Sequence, residues 1–210
     1  MGTVQSCIVD FCDELLSPRI FSESPTFIDV GANVGQWAIA AKFFVPSAKV
    51  LSIEPDPEVY AMLVKNISGV QGVECVNSAA GSRSGTTLLF RQALSLMSTI
   101  NPSKDDLTTD PVEVTIRRLD ELTKNYPAID VLKIDVEGSE VEVLRGAPHT
   151  LEKSSYLLIE LSLARGNTNA IELLTELKRM QPKSRIIKFG RPLGSQSEPA
   201  CQDVLISLRS

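Results

Sequence analysis

The sequence contains little histidine and cysteine, and this shortage argues against two kinds of structural site. His149 is the single histidine, and none of the four cysteines lies in a C-x-x-C pair. A zinc site needs clustered cysteine or histidine ligands, so we predict no metal centre of that kind. The cysteine spacing is also unlike a disulfide framework, which favours a reducing, cytoplasmic compartment.

Positive charge and long apolar runs are scarce as well. The formal net charge is −5 over 210 residues, whereas a nucleic-acid-binding surface needs clustered Lys and Arg. No apolar run approaches the roughly 20 residues of a membrane helix, and no secretory signal pattern opens the chain. We therefore predict a single domain over residues 1–210 that binds neither nucleic acid nor membrane.

The chain does contain a regular alternation of short β-rich runs and amphipathic helical runs. Strand patterns cover residues 27–30, 50–53, 73–76, 131–134 and 156–161. Two more, at 186–189 and 204–208, follow each other closely near the C-terminus. Repeated strand–helix units indicate an α/β fold with a mostly parallel sheet covered on both faces, and the last pair indicates an antiparallel edge hairpin.

Two segments carry a weaker pattern. Residues 1–25 have apolar residues at helical spacing and are predicted as an N-terminal helix region, in preference to lipidation at Gly2. Residues 91–111 join strand patterns at 86–90 and 112–116. A connection of that length inside a compact domain is usually functional or disordered, so we predict a lid loop over a site.

The first strand runs into a turn that is typical of a nucleoside-binding site. Gly31 permits a tight turn, and Gly35 is expected to let the following helix pack close to the strand. A dinucleotide fingerprint requires glycine where Asn33 stands, and Asp29 would repel a pyrophosphate. S-adenosylmethionine (SAM) carries a sulfonium and an ammonium, which an acid attracts, so we predict a SAM site. An NAD-dependent Rossmann enzyme stays an alternative.

An acid ends the second strand about twenty residues after Gly35. Glu54 is therefore placed to accept hydrogen bonds from ribose hydroxyls. Asp56 suits the N-cap of the next helix and Pro57 its first position, so Glu54 is not needed for capping.

The residues after the third strand are small and polar. Asn77, Ser78 and Ala79 are predicted to border the adenine ring, because small side chains leave room for it. This signal is weaker than that of the two acids.

Polar residues at the ends of later strands predict an acceptor pocket. Lys133 and Asp135 have the same parity and point to one side of the sheet. Glu160 ends the fifth strand, and Ser98 lies in the predicted lid loop. We expect Lys133, Ser98 and Glu160 to line the pocket around Asp135.

Taken together, these segments resemble the FkbM-type methyltransferases. The resemblance runs through F-I-D-V-G-A-N-V-G at 27–35, I-E-P at 53–55, N-S-A-A-G at 77–81, L-K-I-D-V-E-G-S-E at 132–140 and L-R-G-A at 144–147, and it fades after Leu161. It implies a Rossmann-like class I fold with a seven-stranded sheet and, usually, O-methylation of a hydroxyl, often on a sugar or a polyketide-like product. It also implies that Asp29, Gly31 and Glu54 contact SAM and that Asp135 and Glu137 line the pocket.

The chemistry that we expect is an in-line attack of an acceptor hydroxyl on the SAM methyl group, helped mainly by positioning. Asp135 is the candidate base, with Glu137 and His149 as alternatives. The acids at 135 and 137 could instead hold a divalent metal, which we do not favour. A non-catalytic SAM-binding scaffold or sensor is a further alternative, and a homodimer is left open.

Overall fold

The computed structural model describes residue 21 and residues 23–91, 98–99, 111–162, 170–190 and 201–209. Its strands are β1 (Thr26–Val30), β2 (Lys49–Glu54), β3 (Val73–Asn77), β4 (Ala79–Gly81), β5 (Gly85–Arg91), β6 (Ser98–Thr99), β7 (Val112–Arg118), β8 (Ile129–Ile134), β9 (Ser154–Ser162), β10 (Arg185–Phe189) and β11 (Cys201–Ser207). Its helices are α1 (Gln36–Phe44), α2 (Pro57–Asn66), α3 (Leu119–Leu122), α4 (Glu140–Arg145), α5 (Pro148–Glu152) and α6 (Ala170–Met180).

The main sheet has seven strands in the order β10-β11-β9-β8-β1-β2-β3. Its pairs from β9 through to β3 are all parallel, whereas β11 runs antiparallel to both β9 and β10. The predicted mostly parallel sheet with an antiparallel C-terminal edge is confirmed. The chain leaves β1 towards β2 on one side and returns as β8 on the other. Such a reversal opens a crevice at the carboxyl ends of the strands, where ligands of α/β proteins bind.

A second sheet, in the order β4-β7-β5-β6, was not predicted. The strand patterns at 86–90 and 112–116 are present as β5 and β7, but they pair with each other outside the main sheet, and β7 also pairs with β4. Strand β4 could not be predicted because its three residues are too few to show an alternation of apolar and polar residues. Leu89, Val114 and Ile116 form a small apolar cluster in this sheet together with Ala79.

The core lies on both faces of the main sheet. On one face Ile28 and Val30 pack in a large cluster with residues of α4 and α6, and on the other Phe27 packs with Trp37 and Ala38 of α1. A strand covered on both sides reads as a nearly continuous apolar run, and β1 follows this rule except for one charged residue, Asp29.

Two helices begin later than the sequence pattern indicated. The apolar spacing predicts helices over residues 34–44 and 137–144, but the first helix begins at Gln36 and the second at Glu140. The preceding residues form turns with positive φ, at Asn33 (50°) and Glu137 (53°) among others, which a right-handed helix does not tolerate. By contrast, Asp56 caps α2 and Pro57 opens it, as predicted.

Several expectations fall on parts of the chain that are not described. These are most of the predicted N-terminal helix region 1–25, which includes Gly2, and most of the predicted lid 91–111. Within the described ranges, no helix is long and apolar enough to cross a membrane.

Candidate functional site

The turn after β1 joins three strand ends. The backbone N–H groups of Gly31 and Ala32 both donate to the Ile53 carbonyl of β2 at 3.0 Å, and the Asp135 N–H donates to the Val30 carbonyl at 3.0 Å. Gly31 has φ +78°, and a Cβ atom on it would lie 1.7 Å from the Asp135 carbonyl oxygen. Glycine is therefore required for the ends of β1, β2 and β8 to meet at this edge.

Asn33 and Gly35, which follow Gly31 in this turn, also have positive φ. Asn33, at φ 50°, accepts the Val34 N–H on its side-chain oxygen, and asparagine is one of the few non-glycine residues that adopt this conformation readily. Gly35, at φ +89°, has Leu63 of α2 and Ile67, the C-cap residue of α2, against it, at 2.7 and 3.2 Å from where its Cβ would stand. Gly35 thus lets α2 approach α1, whereas the sequence suggested a helix–strand approach.

Glu54 is held at the end of β2 by the backbone. One carboxylate oxygen accepts the Asn33 N–H and the other accepts the Asp56 N–H, each at 2.9 Å. Only 6% of the residue is exposed. Burial raises the pKa of Glu54 to about 7; the two N–H groups oppose the rise, and the charges of Asp56 and Asp29 add to it. The predicted ribose-binding acid is therefore fixed in position and titrates near neutrality.

This raised pKa predicts how stability depends on pH. Between the ordinary value of 4.5 and about 7, the folded protein binds a proton at Glu54 that the unfolded chain releases. The contribution is therefore fully present below pH 4.5 and is lost as the pH rises through about 7. The free energy of unfolding should therefore fall as the pH rises over this range. We expect the slope of this fall to be smaller in Glu54→Gln, by up to about 1.4 kcal/mol per pH unit.

Urea unfolding of both proteins at a series of pH values measures this difference. Glu152→Gln is the matched control, because Glu152 is an exposed glutamate on α5. Equal slopes for the wild type and Glu54→Gln would contradict the prediction, whatever the absolute loss of stability.

A buried ion-pair network connects β1 with β8. Asp29 and Lys133 are opposite each other in the parallel register, and the Lys133 Nζ lies 3.3 Å from Asp29 Oδ1 and 3.2 Å from Asp135 Oδ2. Asp29 is fully buried and Lys133 is 2% exposed. Burial raises the pKa of Asp29, and the Lys133 charge opposes that rise. Asp29 was predicted as a SAM contact and Lys133 as a pocket residue; the structure pairs them with each other below the edge.

The segment after β8 is a tight turn that is closed by a glutamate. Glu140 Oε1 accepts the N–H groups of Val136 and Gly138, at 3.3 and 3.1 Å. Glu140 is almost fully buried, and this burial raises its pKa. The side chain of Asp135 remains 21% exposed, and Glu137 is also partly exposed. The turn thus leaves Asp135 and Glu137, the two predicted pocket acids, partly exposed at the carboxyl edge of the main sheet.

The three residues that were predicted to border adenine do not share one surface. Asn77 donates through Nδ2 to the carbonyls of Glu54 (2.8 Å) and Pro55 (3.0 Å), so it lies at the edge. The Ser78 hydroxyl is buried and donates to the Ala79 carbonyl at 2.8 Å. Ala79 packs inside the second sheet. Ser78 and Ala79 turn inward because β4 begins there, which the sequence did not reveal.

Arg91, at the end of β5, was missed by the sequence analysis. Its Nε and Nη2 donate to the two Asp56 carboxylate oxygens at 2.6 and 2.8 Å, and its Nη1 donates to Glu58 at 3.0 Å. Burial opposes ionisation of Asp56, but the Arg91 guanidinium and the N–H groups of Glu58 and Val59 together lower its pKa. The available signal was the acidic segment at 54–58, which needs a cation nearby.

The remaining predicted residues are dispersed. His149 lies on α5 with its side chain 78% exposed and 3.3 Å from Glu152. Since α5 leads into the amino end of β9, His149 is at the opposite edge of the sheet from Asp135. Glu160 is on β9, opposite Asp203 of β11 and beside the end of β8. Ser98 pairs with Arg91 through the β5–β6 ladder, and its side chain lies outside what is described.

The residues that the structure describes form no cluster of three or more histidine, cysteine, aspartate or glutamate side chains that could hold a metal ion. The metal site that was considered at Asp135 and Glu137 therefore has no third histidine, cysteine, aspartate or glutamate ligand among them.

The sequence is similar to those of several methyltransferases. Methyltransferase sdnD of Sordaria araneosa is 29% identical over 65% of this chain and 65% of its own length. Hexuronic acid methyltransferase AglP of Haloferax volcanii is 27% identical over 74% of this chain and 64% of its own length. 2-O-methyltransferase NoeI of Sinorhizobium fredii is 26% identical over 66% and 63%, respectively. Less than two thirds of each relative is matched.

The fold is shared with solved methyltransferases. Fibrillarin of Aeropyrum pernix, in complex with natively bound S-adenosyl-L-methionine, superposes with a TM-score of 0.55 at 12% identity, over 96% of this chain and 72% of that one. The fold is therefore that of the class I methyltransferases. A sequence profile of the Methyltransferase FkbM domain matches residues 29–183, which contain the carboxyl end of every strand from β1 to β9. The chain belongs to the FkbM methyltransferase family.

Proposed function

We propose that this protein is a SAM-dependent methyltransferase that methylates a hydroxyl group of a small molecule or sugar. The observation that carries the proposal is the position of Glu54. Its buried carboxylate is anchored by two backbone N–H groups, next to the Gly31 turn and across that turn from Asp135.

The charges at this edge fit SAM better than a dinucleotide. Asp29, Asp135 and Lys133 form a network with one excess negative charge when all are ionised, and Glu54 adds another. Negative charge attracts the sulfonium and ammonium groups of SAM and repels a pyrophosphate. Glu54 would receive the ribose hydroxyls, and the open backbone of the Gly31 turn would lie against the rest of the molecule.

Bound SAM supplies a methyl group that its sulfonium already activates, so the protein has to position the acceptor and remove its proton. Asp135 suits this role because its carboxylate is one-fifth exposed at the edge, while Lys133 holds its Oδ2 at 3.2 Å. The proton of the acceptor hydroxyl would pass to the Asp135 carboxylate. The names of the relatives AglP and NoeI support a sugar acceptor and an oxygen target.

Calorimetry followed by a transfer assay tests the proposal. We expect SAM and its demethylated product, S-adenosylhomocysteine (SAH), to bind and NAD not to bind. Labelled SAM incubated with hydroxylated sugars and small molecules should then give labelled product. Binding without transfer to any acceptor would favour a scaffold or sensor, and binding of NAD alone would refute the SAM site.

Replacing the candidate base should separate binding from chemistry. We expect Asp135→Asn to keep SAH affinity close to that of the wild type and to lower methyl transfer by about 10²–10⁴-fold, the usual contribution of general base catalysis. Asp130→Asn is the matched control on the same strand, since Asp130 accepts the Thr26 N–H at the opposite end of β8. An unchanged rate in Asp135→Asn would exclude Asp135 as the base.

A further inference from the structure

Arg91 connects the second sheet with the main sheet at the proposed cofactor site. It ends β5, and its guanidinium reaches the N-terminus of α2, where it holds both carboxylate oxygens of Asp56. This two-point geometry fixes the orientation of a carboxylate as well as its charge. The third contact, to Glu58, is to a side chain that is 72% exposed and therefore well screened.

Asp56 connects Arg91 to the acid that is expected to bind ribose. Its side chain is 1% exposed and caps α2 by accepting the N–H groups of Glu58 and Val59. Its own N–H donates to Glu54 at 2.9 Å. A movement of Asp56 would therefore displace one of the two N–H groups that aim the Glu54 carboxylate.

We propose that Arg91 is a positioning residue for cofactor binding, which acts on Glu54 through Asp56. The inference rests on the proposed SAM site. Arg91 acts without contacting the ligand. Its guanidinium holds the Asp56 carboxylate, and the Asp56 N–H holds the Glu54 carboxylate. Glu54 in turn receives the ribose hydroxyls. Arg91 also balances the negative charge of the buried Asp56, next to which the Glu54 carboxylate must ionise.

The charges around Glu54 predict how Arg91 changes the pH at which Glu54 ionises. Asp56 on α2 and Asp29 on β1 both raise the pKa of Glu54. Lys133 on β8 pairs with Asp29, Arg91 on β5 pairs with Asp56, and the neighbouring Asn77 of β3 is uncharged. Loss of the Arg91 charge should therefore raise the pH at which Glu54 ionises, whereas loss of the Asp56 charge should lower it.

The experiment measures SAH affinity by calorimetry at pH values on both sides of about 7, the pKa of Glu54. We expect Arg91→Met to weaken binding about tenfold where Glu54 is ionised, close to the value of one charge-assisted hydrogen bond. It should also move the pH midpoint of binding upward. Arg91→Lys keeps the charge and should restore the midpoint, and Asp56→Asn should move it downward. Arg179→Met is the control, because Arg179 is an exposed arginine paired with Glu176 on α6.

Opposite midpoint shifts in Arg91→Met and Asp56→Asn would support the inference, because a purely structural role has no reason to reverse sign. A wild-type affinity and midpoint in Arg91→Met, even with a lower melting temperature, would overturn it. If Arg91→Met does not fold, an unchanged midpoint in Asp56→Asn overturns it instead. Failure of the wild type to bind either SAM or SAH would refute the proposed function, and the inference with it.

Discussion

Replacing Lys133 with methionine is expected to lower the free energy of unfolding by about 3–5 kcal/mol, the cost of leaving a buried charge without its partner. Methionine keeps the unbranched shape and most of the length of the side chain but removes the ammonium that lies between Asp29 and Asp135. Asp29 is fully buried, so water cannot replace the lost charge.

The loss should depend on pH in a defined direction. Burial already raises the pKa of Asp29 above its ordinary value of 3.8, and without Lys133 it should rise further. A group with a raised folded pKa stabilises the protein at low pH and loses that contribution as the pH rises through the folded pKa. Lys133→Met should therefore be less destabilising in acid than at neutral or alkaline pH.

Urea unfolding of single and double variants measures this effect. Adding Asp29→Asn to Lys133→Met should recover part of the stability, because the carboxylate that lost its partner is then neutral. Lys49→Met is the control, since Lys49 is an exposed lysine on β2. Equal destabilisation by Lys133→Met and Lys49→Met would show that the buried network contributes nothing.

The second large effect is expected at Gly31. A Cβ atom there would lie 1.7 Å from the Asp135 carbonyl oxygen, at a backbone φ of +78°. The conformational strain costs about 1–3 kcal/mol, and forcing the two backbones apart costs about the same or more. We expect Gly31→Ala to lose about 2–6 kcal/mol of stability in total and, if it folds, to lose SAH binding because the strand ends separate.

Gly69 offers a matched control for this substitution. It has φ +88°, close to that of Gly31, but nothing lies within 4 Å of where its Cβ would stand. Gly69→Ala therefore carries the conformational strain without the overlap, and it should be the milder change in urea unfolding. Comparable losses in the two variants would mean that the contact between the ends of β1 and β8 is not the constraint that we describe.

Much of the fold could be predicted because its strands and helices are marked by patterns of neighbouring residues. β1 and β2 are short apolar runs bounded by turn residues, and α2 is marked by Asp56 and Pro57. Alternation of such elements predicts a parallel sheet with its site at the carboxyl edge. The second sheet escaped prediction because the three residues of β4 are too few to show a period.

The position of the candidate site was predicted in part. Glu54 and Asp135 lie at the edge where the pattern put them, because each directly ends or follows a recognisable strand. His149 lies at the opposite edge of the sheet, since its helix precedes the amino end of the next strand. A residue type suited to catalysis does not reveal which end of a strand it occupies.

The sequence by itself determined the class of fold, the turn at Gly31 and the two acids at strand ends, because periodicity and turn chemistry are properties of neighbouring residues. Only the tertiary structure decided the partners: Lys133 with Asp29, and Arg91 with Asp56. These pairs join residues that are distant in the sequence, and they depend on strand order, register and the approach of a second sheet. Burial, and with it the pKa of Glu54, follows from the same packing.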